Sequence, residues 1–414
     1  ATAGGQAGRS PYNPCHPECH APAGFRRRVE TMLKSLLALP LLCAVLAPAS
    51  RAEPMLFDSD AFDRHFRQVL DSNHLPGGAY AIVRDGQIVR ASGHGVRTIG
   101  GSEPVTDTTV FRIASVSKTF AAELTALLVK EGKLRWDDKV SAFVPQLQLK
   151  SSAHQQGLQI QHLLSQSTGF VSNAYDNLLD ANVPLPKILP RFRELKPLCQ
   201  PGQCYSYQNI LFSLIEPAVE RVTQQPYPLL VQQRLFQPLN MQQASIGLDA
   251  FLASANRAEP HIKKKGLWIP TKVQRGYYEV PPAAGVNASA ADLGKWLIAQ
   301  MGYNPEVVPP DVVAQLTEKR VRTVRDLRRK GWREHLTDAH YGLGWRIYEV
   351  GNEEIYLHAG WVKGYVAEVA YSKQRGTGLV VLLNAESSAI NEITTAFWAG
   401  QLGKDVTPSR QQAE

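Results

Sequence analysis

The sequence predicts an α+β fold in which helices flank an antiparallel β-sheet and a mostly helical segment is inserted into it. Strand patterns occur near both ends of the chain, at residues 78–91 and again at residues 341–383. Between them, residues 133–272 show helical patterns and loops punctuated by proline. Because glycines separate the late strand candidates, short turns and antiparallel pairing are expected.

The first predicted elements are a helix and a β-hairpin. Residues 61–73 have the amphipathic pattern of a helix that packs one face on a core. Apolar residues at 78–83 and 87–91 flank Asp85 and Gly86, a dipeptide that supplies the positive φ angles of a tight turn. The hairpin therefore places two neighbouring strands at the start of the sheet.

Further helices and strands follow along the chain. A helix is predicted over residues 120–130, where Phe120 and Leu124 recur at helical spacing and Gly132 ends the pattern. Another short helix is predicted at residues 292–301. The strand candidates of the last third are residues 341–350, 355–358, 365–371 and 378–383.

Composition and charge exclude several classes of protein. The chain has 414 residues, of which 44% are hydrophobic and 20% charged, as in ordinary globular proteins and unlike collagen, coiled coils or disordered chains. Half of the net charge of +8 comes from residues 1–52. The dense basic runs at 263–265 and 328–330 are interpreted as solvated loops, so no nucleic-acid partner is expected.

The N-terminal region has the pattern of a targeting signal. Residues 1–31 are expected to be a disordered extension, and residues 32–52 a signal peptide. Lys34 gives the positive start, residues 36–46 the apolar centre, and Ala52 a small residue for cleavage. The apolar stretch is shorter than the ~20 residues that span a bilayer. Export to the periplasm follows as the expected localisation.

The rest of the chain is expected to form one exported domain. This domain is predicted at residues 53–404, with a helical subdomain at about 133–272 and a C-terminal tail at 405–414. Cys43 follows Leu42 and not a small residue, so no lipid anchor or other stable membrane attachment is expected.

Two cysteines, Cys199 and Cys204, remain in the predicted mature domain. An oxidising compartment would allow them to form a disulfide that closes a small loop, and two free thiols are the alternative. A Cys-His tract at residues 15–20 has spacing that metal ligands tolerate. A leader removed with the signal peptide explains that tract more simply.

The first sign of chemistry is the pair Ser115 and Lys118 at the start of the helix predicted over 120–130. A step of three residues places the lysine one helical turn from the serine, within reach of its hydroxyl. A serine becomes a nucleophile when a base removes its proton, and lysine is such a base when burial or neighbouring positive charge lowers its pKa. An N-cap serine and a surface lysine are the alternative.

Two more short patterns follow downstream. Tyr207 and Asn209 come shortly after a Pro-Gly turn, where a tight loop can present both side chains to one cleft. There the tyrosine can take the serine proton and the asparagine can hold a substrate amide. His358 and Gly360 lie at the end of a strand candidate, where the glycine would let a substrate approach the backbone and the histidine would face the cleft.

Three motifs follow one another along the chain: Ser-x-x-Lys, Tyr-x-Asn, and a third three-residue motif that ends in Gly. This order resembles that of the serine β-lactamase and penicillin-binding-protein superfamily. The Tyr-x-Asn form is similar to the class C branch, which also contains D-amino-acid peptidases and esterases. Further segments that resemble this branch are residues 111–120, 134–140, 160–169, 284–285, 291–293 and 341–345. The resemblance covers residues 60–400 and implies the β-lactamase/transpeptidase-like fold.

The resemblance also implies a role for each matching residue. Ser115 would attack a carbonyl group and form an acyl-enzyme, while Lys118 and Tyr207 would share the work of general base. Asn209 would contact an amide of the substrate. The backbone N–H groups of Ser115 and Trp361, the residue after Gly360, would form the oxyanion hole, where one lost donor costs about 3 kcal/mol in the barrier.

The third motif departs from the Lys-Thr-Gly of class C β-lactamases. His358 has a reference pKa near ~6.5 and would be only partly charged at neutral pH, and the threonine hydroxyl is missing. Arg346 and Lys363 lie nearby in the sequence and are candidates for the missing charge. The leading expectation is an exported β-lactamase that opens β-lactam rings. An esterase or D-amino-acid peptidase and a slowly deacylating penicillin-binding protein are the alternatives.

These readings also define the expected partners. A small β-lactam, peptide or ester is the expected substrate, and a monomer is expected. The serine route requires no cofactor and no metal ligand is assigned, although a secondary zinc site assembled in space stays open. The histidines of the chain do not show the close spacing of a zinc-hydrolase motif.

Overall fold

An antiparallel β-sheet organises residues 58–403, the part of the chain that the computed structural model describes. The predicted extension, signal peptide and tail lie outside these residues. The strands are β1 (Gly77–Arg84), β2 (Gln87–Gly95), β3 (Phe111–Arg112), β4 (Ser245–Ile246), β5 (His261–Lys264), β6 (Leu267–Pro270), β7 (Val286–Ala288), β8 (Val321–Arg322), β9 (Asp338–Tyr341), β10 (Arg346–Val350), β11 (Glu353–Val362), β12 (Tyr365–Ser372) and β13 (Thr377–Leu383).

Helices lie between and around these strands. They are α1 (Ser59–Ser72), α2 (Ser117–Lys130), α3 (Val140–Phe143), α4 (Ser152–Gly157), α5 (Ile160–Leu164), α6 (Asp176–Asp180), α7 (Leu185–Ile188), α8 (Ile215–Thr223), α9 (Tyr227–Val231), α10 (Leu248–Ala253), α11 (Pro281–Ala284), α12 (Ala290–Gln300), α13 (Pro310–Leu316) and α14 (Ala389–Gln401). Within residues 58–403, no helix combines the length and apolar composition that a membrane span requires.

The main sheet joins the two ends of the described chain. Its eight strands within residues 58–403 run in the order β2-β1-β13-β12-β11-β10-β9-β8. Strand β1 pairs with β13 in antiparallel register from Gly78 opposite Leu383 to Arg84 opposite Thr377. The predicted antiparallel sheet with strands from both ends is therefore confirmed, as is the α+β fold class.

Side chains of the sheet alternate between two hydrophobic cores, one on each face. In β1, Ala79 and Ala81 belong to the core that contains α2 and α12, while Tyr80 and Ile82 belong to the core that contains α1 and α14. This arrangement buries α2 on all sides along most of its length. The helix that carries the predicted nucleophile motif is thus held in place by its contacts with the surrounding hydrophobic core.

The predicted strand at residues 341–350 is two strands joined by a tight turn. Strand β9 ends at Tyr341 and β10 begins at Arg346. The intervening turn passes directly over α2, where a Cβ atom added to Gly344 would lie 2.6 Å from the backbone oxygen of Lys118. Gly344 also has a φ of 75°, which favours glycine. Close packing on α2 therefore interrupts an apolar run that the sequence alone presents as continuous.

The middle of the chain contains more than helices. Residues 133–272 include the short helices α3 to α10, as the sequence predicts, but also the hairpin of β5 and β6. Strand β4 lies in the same segment and pairs with β7 in a small sheet that also contains β3. Since β3 leads straight into the nucleophile turn, this small sheet helps to fix its position.

Candidate active site

Ser115 lies on a 3-10 turn, Ala114–Val116, immediately before α2. Ala114 has a φ of 48°, a left-handed conformation that costs energy for a residue other than glycine. Ser117 secures the turn, because its hydroxyl donates to the Ala114 carbonyl at 2.6 Å and accepts from the Val286 backbone at 3.0 Å. The sequence predicts a serine at a helix start, and the structure adds the strained turn that presents its side chain to a cavity.

Lys118 lies beneath Ser115, completely buried. Its Nζ atom is 3.2 Å from the Ser115 Oγ, 2.7 Å from the Asn209 Oδ1 and 3.0 Å from the Ala283 carbonyl oxygen. Burial lowers the pKa of Lys118 well below its ordinary value, the Asp176 charge opposes this effect, and the Arg346 charge adds to it. A neutral amine keeps a lone pair for the serine proton, so this geometry and this pKa both suit a general base.

Tyr207 is the second polar group beside the nucleophile. Its ring centroid lies 4.8 Å from the Lys118 Nζ. Burial raises the pKa of Tyr207 to about 12, although a hydrogen bond with Ser115 and the Arg346 charge act in the opposite direction. The phenol therefore keeps its proton at neutral pH. This favours Lys118 as the base of the free enzyme and Tyr207 as the proton donor to a leaving group.

The loop that carries Tyr207 is fixed on both sides. Cys199 and Cys204 form a disulfide just before it, which resolves the alternative that the sequence left open. The side chain of Gln166 accepts from the Gln208 backbone N–H at 2.6 Å and donates to its carbonyl at 3.1 Å. These paired hydrogen bonds hold Gln208 in an extended conformation, as a neighbouring strand would. The side chains of Tyr207 and Asn209, on either side of it, therefore project into the same cavity.

Asn209 connects Lys118 to a residue that the sequence did not single out. Its Oδ1 accepts from Lys118, and its Nδ2 donates to the Asp176 Oδ2 at 2.7 Å. Asn209 has 5% of its surface exposed, and Asp176 has 9%. Both line the cavity. No motif marks Asp176, because it lies 33 residues from Asn209 in the sequence and the contact arises only from the fold.

His358 lies under the wall of the cavity, where it is fully buried. Its Nε2 is 3.0 Å from the Tyr341 hydroxyl, and burial lowers the pKa of His358 well below its ordinary value, with the Arg346 and Lys118 charges acting in the same direction. Because side chains alternate along β11, Ala359 and Trp361 face the cavity. The predicted orientation of His358 toward the cleft differs from the observed one for this reason.

Gly360 permits a close approach, but not the one that the sequence analysis proposed. A Cβ atom at this position would clash with the carbonyl oxygen of Ile113 and lie 3.1 Å from the Ala114 side chain. The glycine therefore allows β11 to pack directly against the nucleophile turn. Contact with the protein's own backbone, and not with a substrate, accounts for this residue.

Trp361 forms part of the cavity rim, with 51% of its surface exposed. Strand β10 pairs with β11 only as far as Leu357, so residues 358–362 have no strand partner on that side within the described chain. A free strand edge can donate backbone N–H groups to a substrate carbonyl. The predicted oxyanion hole of Ser115 and Trp361 is compatible with this edge.

Arg346 supplies a permanent positive charge to the site. Its guanidinium carbon lies 5.6 Å from the ring centroids of Tyr207 and Tyr341 and 5.8 Å from that of Tyr205. The side chain also forms an ion pair with Asp326. The other candidate cation of the sequence analysis, Lys363, is not among the residues that line the cavity. The positive charge that the third motif on β11 lacks is therefore supplied by Arg346 on β10.

The cavity around these residues is large enough for a small peptide or a bicyclic molecule. Its volume is about 740 Å³. The lining is mixed in polarity, and its polar side chains include those of Ser115, Tyr207, Asn209, Asp176, Arg346 and the exposed Arg325.

One group of potential metal ligands occurs among the described residues, on β9 and β10. Asp338, His340 and Glu349 have ligand atoms within 4.8 Å of one another. Arg322 donates to Asp338 at 2.8 Å, and Lys319 lies 3.0 Å from Glu349. Both carboxylates are thus already paired with cations. None of the three residues lines the cavity of Ser115.

The sequence of the chain matches the model of the Beta-lactamase family over residues 62–399. The chain belongs to this family. Its members share the β-lactamase/transpeptidase-like fold, so the resemblance stated from the motifs is confirmed. Class C activity is a finer statement that family membership does not establish.

Individual relatives agree with this assignment. Protein flp of Staphylococcus aureus (strain NCTC 8325 / PS 47) is 23% identical over 326 residues, which are 78% of this chain and 62% of the relative. The chain thus spans less than two thirds of that protein's length. Two solved structures share the fold. The octameric penicillin-binding protein homologue from Pyrococcus abyssi has a TM-score of 0.73 and 24% identity, with 84% of this chain and 78% of that chain covered. A D-stereospecific amidohydrolase from Streptomyces sp. has a TM-score of 0.67 and 18% identity, with 83% and 99% covered.

Proposed function

We propose that this protein hydrolyses small amides, in particular D-amino-acid amides and peptides, through an acyl-enzyme on Ser115. The observation that carries the proposal is the contact of the buried Lys118 amine with the serine hydroxyl at 3.2 Å. The lowered pKa of Lys118 increases the fraction of neutral amine that can accept the serine proton. The same arrangement would accept esters, since both reactions begin with attack of the serine oxygen on a carbonyl carbon.

In each stage of the proposed reaction, a side chain removes a proton from the attacking group and a proton is donated to the leaving group. Lys118 takes the Ser115 proton as Oγ bonds to the carbonyl carbon, and backbone N–H groups of Ser115 and Trp361 stabilise the oxyanion. Tyr207 donates its proton to the leaving nitrogen as the C–N bond breaks, and Lys118 returns a proton to Tyr207. Water then attacks the acyl-enzyme and passes its proton to the neutral amine of Lys118, and Lys118 returns a proton to the Ser115 oxygen as the bond between that oxygen and the acyl carbon breaks.

The charge distribution favours an amide with an anionic group over a neutral one. His358 is buried with its pKa well below the ordinary value, so the third motif provides no charge to the cavity. Arg346 lies close to Tyr207, and Arg325 is exposed on the rim with no ion-pair partner among the described residues. These arginines can bind a carboxylate of the substrate. The name of the related amidohydrolase is consistent with this substrate class.

A second candidate is the opening of β-lactam rings, followed by fast or slow release. The observation in its favour is the joint placement of Ser115, Lys118, Tyr207 and Asn209, which matches the class C pattern that the sequence resembles. The absence of a charged lysine in the third motif argues for weak turnover. A stable acyl-enzyme, as in a penicillin-binding protein, would then be the main product with a β-lactam.

Export remains part of the proposal, with the disulfide as its structural support. Cys199 and Cys204 are bonded next to the Tyr207 loop, and disulfides persist mainly in oxidising compartments such as the periplasm.

The test compares three substrates with wild-type protein and the Ser115→Ala variant. A D-amino-acid p-nitroanilide, a p-nitrophenyl ester and a chromogenic cephalosporin are followed by absorbance, and adducts are followed by intact mass. We expect anilide turnover that the variant lacks. Faster cephalosporin turnover would favour a β-lactamase, and a lasting adduct a penicillin-binding protein. Turnover that survives in Ser115→Ala would refute the serine mechanism.

A further inference from the structure

We propose that Asp176 is a positioning residue, which acts through Asn209 to keep a hydrogen-bond acceptor facing Lys118. The inference rests on the proposed function, because it concerns the base of the Ser115 reaction. Asp176, Asn209 and Lys118 form a chain of two hydrogen bonds, each 2.7 Å long. All three side chains are at least nine-tenths buried, so water does not compete strongly for these contacts.

The chemistry of the three side chains determines which atom donates and which accepts in these two hydrogen bonds. The amide of an asparagine can rotate by 180°, which would exchange its oxygen and its two N–H donors. A carboxylate accepts hydrogen bonds and donates none, so Asp176 selects the orientation in which the Asn209 nitrogen faces it. The Asn209 oxygen must then face Lys118. In the opposite orientation, the amide would direct N–H groups toward the lysine amine and compete for its lone pair.

The backbone around Asp176 explains how a carboxylate reaches this place. Helix α6 begins directly after Tyr175, which has a φ of 64° and so turns the chain sharply. The Tyr175 hydroxyl donates to the Arg191 carbonyl at 2.8 Å and secures this strained residue. Asp180, one turn further along α6, is exposed and does not touch Asn209. The same helix therefore contains a matched control carboxylate.

The charge of Asp176 adds a second effect that can be measured. Lys118 is faced by Asp176 from α6, Tyr207 from its loop, Arg346 from β10 and His358 from β11. Among these groups, Asp176 alone supplies a negative charge, while Tyr207 and His358 favour their neutral forms. Burial raises the pKa of Asp176 above its ordinary value, while the hydrogen bond with Asn209 and the Lys118 charge favour the ionised form. The negative charge of that form holds the proton on the lysine more tightly. Removal of the charge should let Lys118 lose its proton at lower pH.

The experiment measures the rate at which a fluorophosphonate probe labels Ser115, as a function of pH. This probe needs the activated serine but no natural substrate. In Asp176→Asn, we expect the plateau rate to fall about tenfold, the usual effect of losing one hydrogen bond to a charged group, and the acidic limb of the profile to move to lower pH. Asp180→Asn should leave both the plateau and the limb as in wild type.

A double variant distinguishes positioning from general damage. D176N/N209D exchanges the two side chains, so that a carboxylate faces Lys118 directly and accepts from the amide behind it. We expect its acidic limb to return to higher pH and its plateau to exceed that of the single variant. A lower plateau in Asp176→Asn with an unmoved limb, or a profile equal to wild type, would overturn the inference. Wild-type protein that the probe never labels at Ser115 would refute the proposed nucleophile itself, and the inference with it.

Discussion

Glu123 offers a quantitative test of how the active-site helix is buried. It lies on α2, one and a half turns after Lys118, with no exposed surface. Burial raises the pKa of Glu123 from 4.5 to about 8, although a hydrogen bond from Gln300 acts in the opposite direction. Between these two pH values, the folded protein binds a proton that the unfolded chain does not. The free energy of unfolding should therefore fall as the pH rises, by about 1.4 kcal/mol per pH unit.

The hydrogen bonds around Glu123 explain why the neutral form fits. The Gln300 Nε2 donates to one carboxylate oxygen at 3.0 Å. The other oxygen of Glu123 and the amide oxygen of Gln300 are both buried and have no hydrogen-bond partner among the described residues. A protonated carboxyl group has an O–H that can donate to such an oxygen, whereas a carboxylate leaves two acceptors unmatched. Glu123→Gln would provide N–H donors at every pH.

We therefore expect Glu123→Gln to be within about 1 kcal/mol of wild type near pH 5 and more stable by about 4–5 kcal/mol at pH 8, the full effect of a 3.5-unit difference. Urea unfolding at pH 5, 6.5 and 8 measures the difference. Glu131→Gln serves as a control of opposite sign, since hydrogen bonds from Arg234 and Lys133 outweigh partial burial and lower the pKa of Glu131. Parallel stability curves for wild type and Glu123→Gln would refute the reasoning.

Three other predictions follow from the site. Gly360→Ala should place a Cβ atom against the Ile113 carbonyl oxygen and abolish labelling of Ser115 by the fluorophosphonate probe. Gly400→Ala is the control and should leave the labelling intact, because its Cβ atom would have no neighbour within 4 Å. A Cys204→Ser variant should lose about 2 kcal/mol of stability by thermal unfolding, the effect expected for a loop this small, and wild type in reductant should match it. Arg346→Met should move the acidic limb of the labelling profile to higher pH, because Arg346 lowers the pKa of Lys118, and Arg346→Lys should largely restore it.

Local patterns predicted the parts of the fold that local physics determines. The hairpin of β1 and β2 follows from Asp85 and Gly86, which have φ angles of 47° and 78° in the structure. Helix α1 begins two residues before the predicted start, because Asp58 accepts from the first backbone N–H groups of the helix. Ser115 and Lys118 are neighbours for a similar reason, since a step of three residues on a helical turn brings side chains together.

The missed features depend on contacts between distant segments or on the face of a strand. His358 was expected in the cleft, but a shift of one residue along a strand exchanges its two faces, and only the register with β12 determines which face is buried. Asp176 reaches the site through α6, and no spacing in the sequence reports this approach. Arg346 was predicted as a candidate for the missing charge, and β10 places it beside Tyr207. Gly360 was correctly recognised as a point of close approach, but sequence could not show that the approaching atom is the Ile113 carbonyl.

The electrostatics of Lys118 explain why Asp176 and Arg346 matter for the chemistry. Burial is the main influence on its pKa and favours the neutral amine; Arg346 adds to burial, and Asp176 opposes it. A site with burial and Arg346 alone would hold a less basic amine, which is neutral over a wider pH range but takes the serine proton poorly. The Asp176 charge opposes this loss of basicity, and its contact through Asn209 does so without a direct ion pair that would hold Lys118 in its protonated form. Because Asp176→Asn and Arg346→Met should displace the acidic limb in opposite directions, a common displacement would show that the limb does not report Lys118.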